Sequence, residues 1–216
     1  MTDYPVIFVS GIDTDAGKTY ATAYLALRLK AEGRTVATQK FIQTGCNDTS
    51  EDIEKHRELC GTGPLPEDLD HTTAPIIFSY PASAQLAARL DGRDIDLGLV
   101  AQSTRRLSER YDTVLIEGAG GLMVPVTDTT TTIDYIWEHG LPVVLVTNGR
   151  LGSINHTLLS LEAIERRGLT LAAVVYNCHY DTDAVIAADT LGYIGRTLKR
   201  RFAEAELIVM PEHSEW

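Results

Sequence analysis

The chain has 216 residues, within reach of one large α/β domain. Its 44% hydrophobic and 23% charged residues match the ordinary globular mix and exclude disordered and fibrous classes. Nineteen Lys and Arg against 30 Asp and Glu leave a net charge of −11, which disfavours nucleic acid and anionic membrane surfaces as partners. The one basic run, Lys199-Arg200-Arg201, is offset by Glu204 and Glu206.

Cys46, Cys60 and Cys178 are odd in number and widely spaced, which argues against a disulfide framework or structural zinc. The N-terminus passes from Met1-Thr2-Asp3 into Val6-Ile7-Phe8-Val9 with no basic leader or cleavage site. No apolar stretch approaches the ~20 residues of a membrane span. These features lead us to expect a soluble protein of the reducing cytoplasm.

In chain order, apolar strand-like runs are expected at 6–10, 35–40, 113–117, 143–147, 171–177 and 207–210. Helical patterns are expected at 18–31, 51–60, 84–90, 97–110, 133–138, 154–167 and 184–202. Alternating strands and helices predict a single domain over residues 1–216: a P-loop NTPase-like α/β fold, its mostly parallel sheet covered by helices on both faces. Gly33, Gly140 and Gly168 are expected to end helices, and the Thr-rich run 127–132 to cap one.

The first strand leads into Gly11-Ile12-Asp13-Thr14-Asp15-Ala16-Gly17-Lys18-Thr19 and then at once into a helix. Such a loop aims backbone N–H groups at phosphates, while Lys18 can bridge β- and γ-phosphates and Thr19 can ligate Mg²⁺. The loop departs from G-x-x-x-x-G-K-[ST] by one extra residue, so Ile12 stands at the usual first glycine. A plain βα turn with a solvated Lys18 is the alternative.

Glu117 ends a strand and precedes Gly118-Ala119-Gly120-Gly121, as a metal carboxylate would. Lys40 ends the second strand, where a cation could face transferred phosphate, although a strand-end lysine is often merely solvated. Asp52 reads either as a metal ligand or as part of a Thr49-x-x-Asp52 capping box. The loop at 148–156 opens another helix and offers an anion-binding N-terminus at Ser153, or Ser153 is a simple cap. Asn177 reads as a base-contacting amide or a turn former. The six histidines show no metal-ligand spacing, and no catalytic role is expected of them.

Together these segments resemble the dethiobiotin synthetase family. The resemblance rests on Gly11-x-Asp13-Thr14-x-x-Gly17-Lys18-Thr19, Lys40-x-x-x-Thr44-Gly45 and Glu117-Gly118-Ala119-Gly120-Gly121. It continues through Asp128-Thr129 and Leu151-Gly152-x-Ile154-Asn155-His156. It implies a homodimer with shared active sites that uses ATP and Mg²⁺ to join 7,8-diaminononanoate and CO₂ or bicarbonate into the cyclic urea dethiobiotin, by way of a carbamate and a carbamic–phosphoric anhydride.

The resemblance assigns Mg²⁺ to Thr19, Asp52 and Glu117, and catalysis to Lys18, Lys40, Thr14 and Asp15. Nucleotide contacts fall to Asp13 through Tyr20 (Asp13, Thr14, Asp15, Ala16, Gly17, Lys18, Thr19, Tyr20), with Asn177, Pro211 and Glu212 at the base. Substrate contacts fall to Lys40, Thr44, Glu117, Gly120 and Gly121, and to Gly152, Ser153, Ile154 and Asn155 from the neighbouring subunit. Phe41 stands where many relatives have proline. The chain ends at Trp216, where relatives often continue with a segment enclosing the base.

Three alternatives compete. A regulatory ATPase switch of the partitioning or division-site class would need a signature lysine where Asp13 stands. A corrin-modifying amidoligase would need a longer chain. A nucleotide-binding module would bind ATP without turnover.

Overall fold

The structure is a computed structural model that describes residues 4–216. The strands are β1 (Val6–Gly11), β2 (Val36–Lys40), β3 (Gln43–Thr44), β4 (Ile77–Phe78), β5 (Thr113–Gly121), β6 (Val143–Asn148), β7 (Leu171–Asn177) and β8 (Glu206–Met210). The helices are α1 (Lys18–Ala31), α2 (Glu51–Leu59), α3 (Pro66–Leu69), α4 (Ala84–Leu90), α5 (Leu97–Ser108), α6 (Thr132–Glu138), α7 (Ser153–Arg166) and α8 (Ala184–Arg201). Six strands form one parallel sheet in the order β2-β5-β1-β6-β7-β8, the P-loop NTPase-like arrangement expected.

Successive strand residues point to opposite faces, and the core divides accordingly. Phe8, Ile116, Leu145 and Val174 join one buried cluster with residues of α5, α6, α7 and α8. Ile7, Val9, Leu115, Val144 and Val175 join the other, beneath Ala21, Leu25 and Leu29 of α1. Both faces are therefore covered, which is why the strands read as continuous apolar runs. Burial of each such aliphatic side chain contributes about 1.5–3 kcal/mol. Among the described residues, no helix is long and apolar enough to cross a membrane.

Boundaries differ from expectation where residues outside the hydrophobic pattern decide them. β5 continues past Glu117 because Gly121 pairs with Gly11. α5 stops at Ser108 rather than at Arg110. β3 and β4, a two-residue parallel pair, and the four-residue α3 are too short to leave a periodic signal. Gly33, Gly140 and Gly168 follow α1, α6 and α7 with positive φ, and Thr131 with Asp134 forms the capping box of α6.

One buried ion pair ties α2 to α3. Arg57 donates Nε and Nη2 to the two Asp68 oxygens at 2.9 and 2.8 Å, and its Nη1 reaches Thr38 Oγ1 at 2.9 Å. Burial would raise the Asp68 carboxyl, but the Arg57 hydrogen bonds and the Leu65 N–H hold it below its ordinary value. Asp68→Ala would strand a buried guanidinium and should cost about 3–5 kcal/mol in urea unfolding. The wild-type contribution should be complete above the ordinary carboxylate range and fade as pH falls through the depressed Asp68 value. An unchanged urea midpoint in Asp68→Ala would contradict this.

Candidate active site

The loop after β1 owes its extra residue to the sheet. Ile12 donates its N–H to Val146 O at 3.0 Å, so the chain is still tied to β6 one residue beyond Gly11. The turn then passes through positive φ at Asp15 (55°) and Gly17 (91°), and α1 begins at Lys18. Gly17 is doubly constrained, because a Cβ there would lie 2.1 Å from Asn177 Nδ2. The Asn177 amide in turn donates to Ala16 O at 3.3 Å and accepts the His179 N–H at 3.1 Å, so it is a strut between β7 and the loop.

Lys18 is buried, and its Nζ donates to Asp13 O at 3.1 Å. It is not the solvated turn residue of the plain alternative. Burial pulls its pKa below the ordinary lysine value, and Lys40 adds to the effect, while Glu117, Asp52 and Asp15 oppose it.

The parallel pairing of β2 with β5 sets Lys40 directly beside Glu117. Lys40 Nζ lies 2.8 Å from Glu117 Oε1 and 2.5 Å from Asp52 Oδ2; Lys40 and Glu117 are buried, and Asp52 is partly exposed. Burial favours a neutral Lys40, yet the two carboxylates outweigh it and raise the pKa. Burial likewise would raise Glu117, but Lys40 and the hydrogen bond from His56 hold its carboxyl far below the usual range. The site thus keeps a buried ammonium and a buried carboxylate both charged.

Thr19 Oγ1 lies 3.0 Å from Asp52 Oδ1 and 3.1 Å from Glu117 Oε1. Two carboxylates and a hydroxyl converging beside a phosphate-binding loop are hard oxygen donors, and they fit Mg²⁺ shared with substrate phosphates. Asp52 is not a cap. Ser50 is the N-cap of α2, accepting the Ile53 N–H at 3.2 Å, which leaves Asp52 in the first turn with its side chain turned to Thr19 and Lys40. The Thr49–Asp52 capping box, one of the two readings of Asp52, is therefore absent.

Phe41 fixes the backbone that follows Lys40. Its N–H donates to Glu117 O at 2.8 Å, and its ring packs on Phe8 and Tyr135 with centroids 5.3 and 4.8 Å away. Proline could not donate that bond.

A cleft of about 590 Å³ collects Thr14, Asp15, Gly17, Lys18, Thr19, Tyr20, Lys40, Thr44, Asp52, Glu117 and Gly120. An adjoining cavity of about 220 Å³ is lined by Gly17, Tyr20, Asn177, Pro211 and Glu212. Asp13 and Gly121 face a third cavity with His156, and Ala16 is a buried member of the loop. Gly152, Ser153, Ile154 and Asn155 line none of these cavities. Gly152 is the left-handed N-cap of α7, so Ser153 is its first helical residue rather than its cap, and the buried Ser153 Oγ has no hydrogen-bond partner among the described residues.

Four participants escaped the sequence reading. Tyr180 donates its hydroxyl to Asp15 O at 2.8 Å, and Trp216 with His213 walls the smaller cavity. His56, to which the sequence assigned no catalytic work, reaches Glu117 Oε2 at 2.7 Å and so lies against the site.

Residues 6–204 match the model of a family described as an AAA domain. The chain is 48% identical over 205 residues to the ATP-dependent dethiobiotin synthetase BioD 2 of Haemophilus ducreyi, covering 95% of this chain and 97% of that protein. It is 50% identical over 204 residues to the ATP-dependent dethiobiotin synthetase BioD of Chlorobaculum tepidum, covering 94% and 85%. Among solved structures, pNOB8 ParA bound to nonspecific DNA superposes with a TM-score of 0.56 at 17% identity, covering 95% and 84%, a likeness of fold alone. The loop, the paired lysines and carboxylates, and identity near one half over nearly the whole length agree: the chain belongs to the dethiobiotin synthetase family, ATP-dependent ligases of biotin biosynthesis.

Proposed function

We propose that the chain converts 7,8-diaminononanoate, CO₂ and ATP into dethiobiotin by way of a carbamate and a carbamic–phosphoric anhydride. The observation that carries this reading is the meeting of Lys18 and Lys40 with Thr19, Asp52 and Glu117 in one cleft. One substrate amine adds to CO₂ and loses a proton, giving a carbamate. A carbamate oxygen then attacks the γ-phosphorus, the bond to the β-phosphate oxygen breaks, and ADP leaves. The second amine attacks the carbonyl carbon, and phosphate departs with the bridging oxygen.

Lys18 and Lys40 would balance the charge spreading over the transferred phosphoryl group and the attacking carbamate. Thr14, Asp15, Thr44, Gly120 and Gly121 would border the carbamate. Thr19, Asp52 and Glu117 would hold Mg²⁺, which when bound neutralises phosphate charge. Asp13 and Ala16 would contribute to nucleotide binding through the loop backbone, while Tyr20, Asn177, Pro211 and Glu212 would border the base.

We further propose a cytoplasmic homodimer in which Gly152 to Asn155 of one subunit receive the substrate carboxylate at the other subunit's cleft. The orphaned Ser153 hydroxyl at the start of the 14-residue α7 supports an anion site, and the placement of these residues away from the ATP cleft supports a shared one. The free thiols of Cys46, Cys60 and Cys178 suit a reducing compartment.

Oxygen bookkeeping tests the chemistry. With ¹⁸O-labelled bicarbonate and a brief turnover, each phosphate released should carry one labelled oxygen, read by mass spectrometry. Phosphate release should also stop when the diamine or bicarbonate is omitted. Unlabelled phosphate at a normal rate would reject the anhydride.

A further inference from the structure

Asp52 and His56 lie one turn apart on α2 and so share a face, and that face meets β5 at Glu117. His56 is fully buried, with Nε2 2.7 Å from Glu117 Oε2. An ionised carboxylate can only accept, so the hydrogen of this bond is on Nε2. The other ring nitrogen, Nδ1, is buried without a hydrogen-bond partner among the described residues. Buried polar atoms are rarely left unpaired, and here one is orphaned while its ring serves a single bond to Glu117.

The two oxygens of Glu117 are thereby divided. Oε1 faces the nucleotide cleft, meeting Lys40 Nζ at 2.8 Å and Thr19 Oγ1 at 3.1 Å, whereas Oε2 is taken by His56. Lys40 and Thr19 hold only Oε1, so without His56 the carboxylate could pivot about that anchor or chelate through both oxygens. We propose that His56 is a positioning residue that pins Glu117 by Oε2, so that the carboxylate presents Oε1 alone to the Mg²⁺–nucleotide complex. The proposal rests on the reading of Glu117 as a metal ligand, and it requires no change of protonation.

The test measures binding in the full chain rather than turnover. ADP is titrated by calorimetry with Mg²⁺ and with EDTA, and the gain in ADP affinity due to the metal is compared among variants. His56→Leu should lose about 10-fold or more of that gain, as hydrogen-bond partners of metal ligands commonly do when removed, while its ADP affinity in EDTA is unchanged. His56→Gln, whose amide nitrogen lies as far along the side chain as Nε2, should keep the gain. His56→Asn, too short to reach Glu117, should lose it, and this variant carries the comparison if His56→Leu does not fold by circular dichroism. A full metal-dependent gain in His56→Leu or His56→Asn, or a loss in His56→Gln equal to theirs, would overturn the proposal. Glu117→Gln separates the underlying reading: a full gain there rejects Glu117 as a ligand, whereas loss there with a full gain in His56→Leu rejects only the positioning role.

Discussion

Lys18→Ala should lower turnover by about 10²–10³ while the fold stays intact, the cost of losing one preorganised charge at a developing anion. The geometry explains why the charge is hard to replace. Lys18 Nζ is fixed on Asp13 O at 3.1 Å, and the side chain is buried, so its field acts in a medium that screens little. Lys40 cannot substitute, because its ammonium is engaged by both Asp52 and Glu117. Arginine should rescue poorly: a planar fork does not fit a lysine cradle closed by a backbone carbonyl. Stopped assays of phosphate release at saturating ATP would show the loss, and near-normal turnover in Lys18→Ala would reject the loop as the site of phosphoryl transfer.

A mixture of two inactive subunits should recover activity if sites are shared across the proposed dimer. One subunit carries Lys18→Ala and the other Ser153→Asp. An aspartate at the first residue of α7 suits the positive end of that helix, so the helix should stand while the carboxylate of the diamine is repelled. After dissociation and reassembly of an equal mixture, random pairing makes about half the dimers hybrids, each with one doubly defective site and one intact site. Activity should return to about a quarter of wild type. A mixture that exchanges subunits by mass yet stays inactive would place the whole site within one chain.

The six main strands and most helices were legible because both rest on repeated signals: strands buried on two faces are apolar throughout, and helices carry a periodic stripe. β3, β4 and α3 are held by pairing and by Asp68, contacts that leave no trace in a window of two to four residues. At the site, Lys18 and Thr19 were legible because their chemistry is confined to one continuous loop. Asp52 was ambiguous because Thr49, Ser50 and Asp52 can all cap in principle, and only the Ser50 bond to the Ile53 N–H decides it. His56 was illegible because its meaning is its partner, and Glu117 lies 61 residues away. Tyr180, His213 and Trp216 are likewise brought to the cavities by the sheet order, which places β7 and β8 beyond β1.

The contact of Asn177 with Gly17 also divides the molecule for anyone who would re-engineer it. Tyr20, Gly17 and Tyr180 border both the larger cleft and its smaller neighbour, so the two chambers share a partition braced by one amide. His213 and Trp216 lie wholly on the far side of that partition. Altering them retunes one chamber and leaves the lysines of the other in place, whereas any side chain added at Gly17 drives into Asn177 and disturbs both at once.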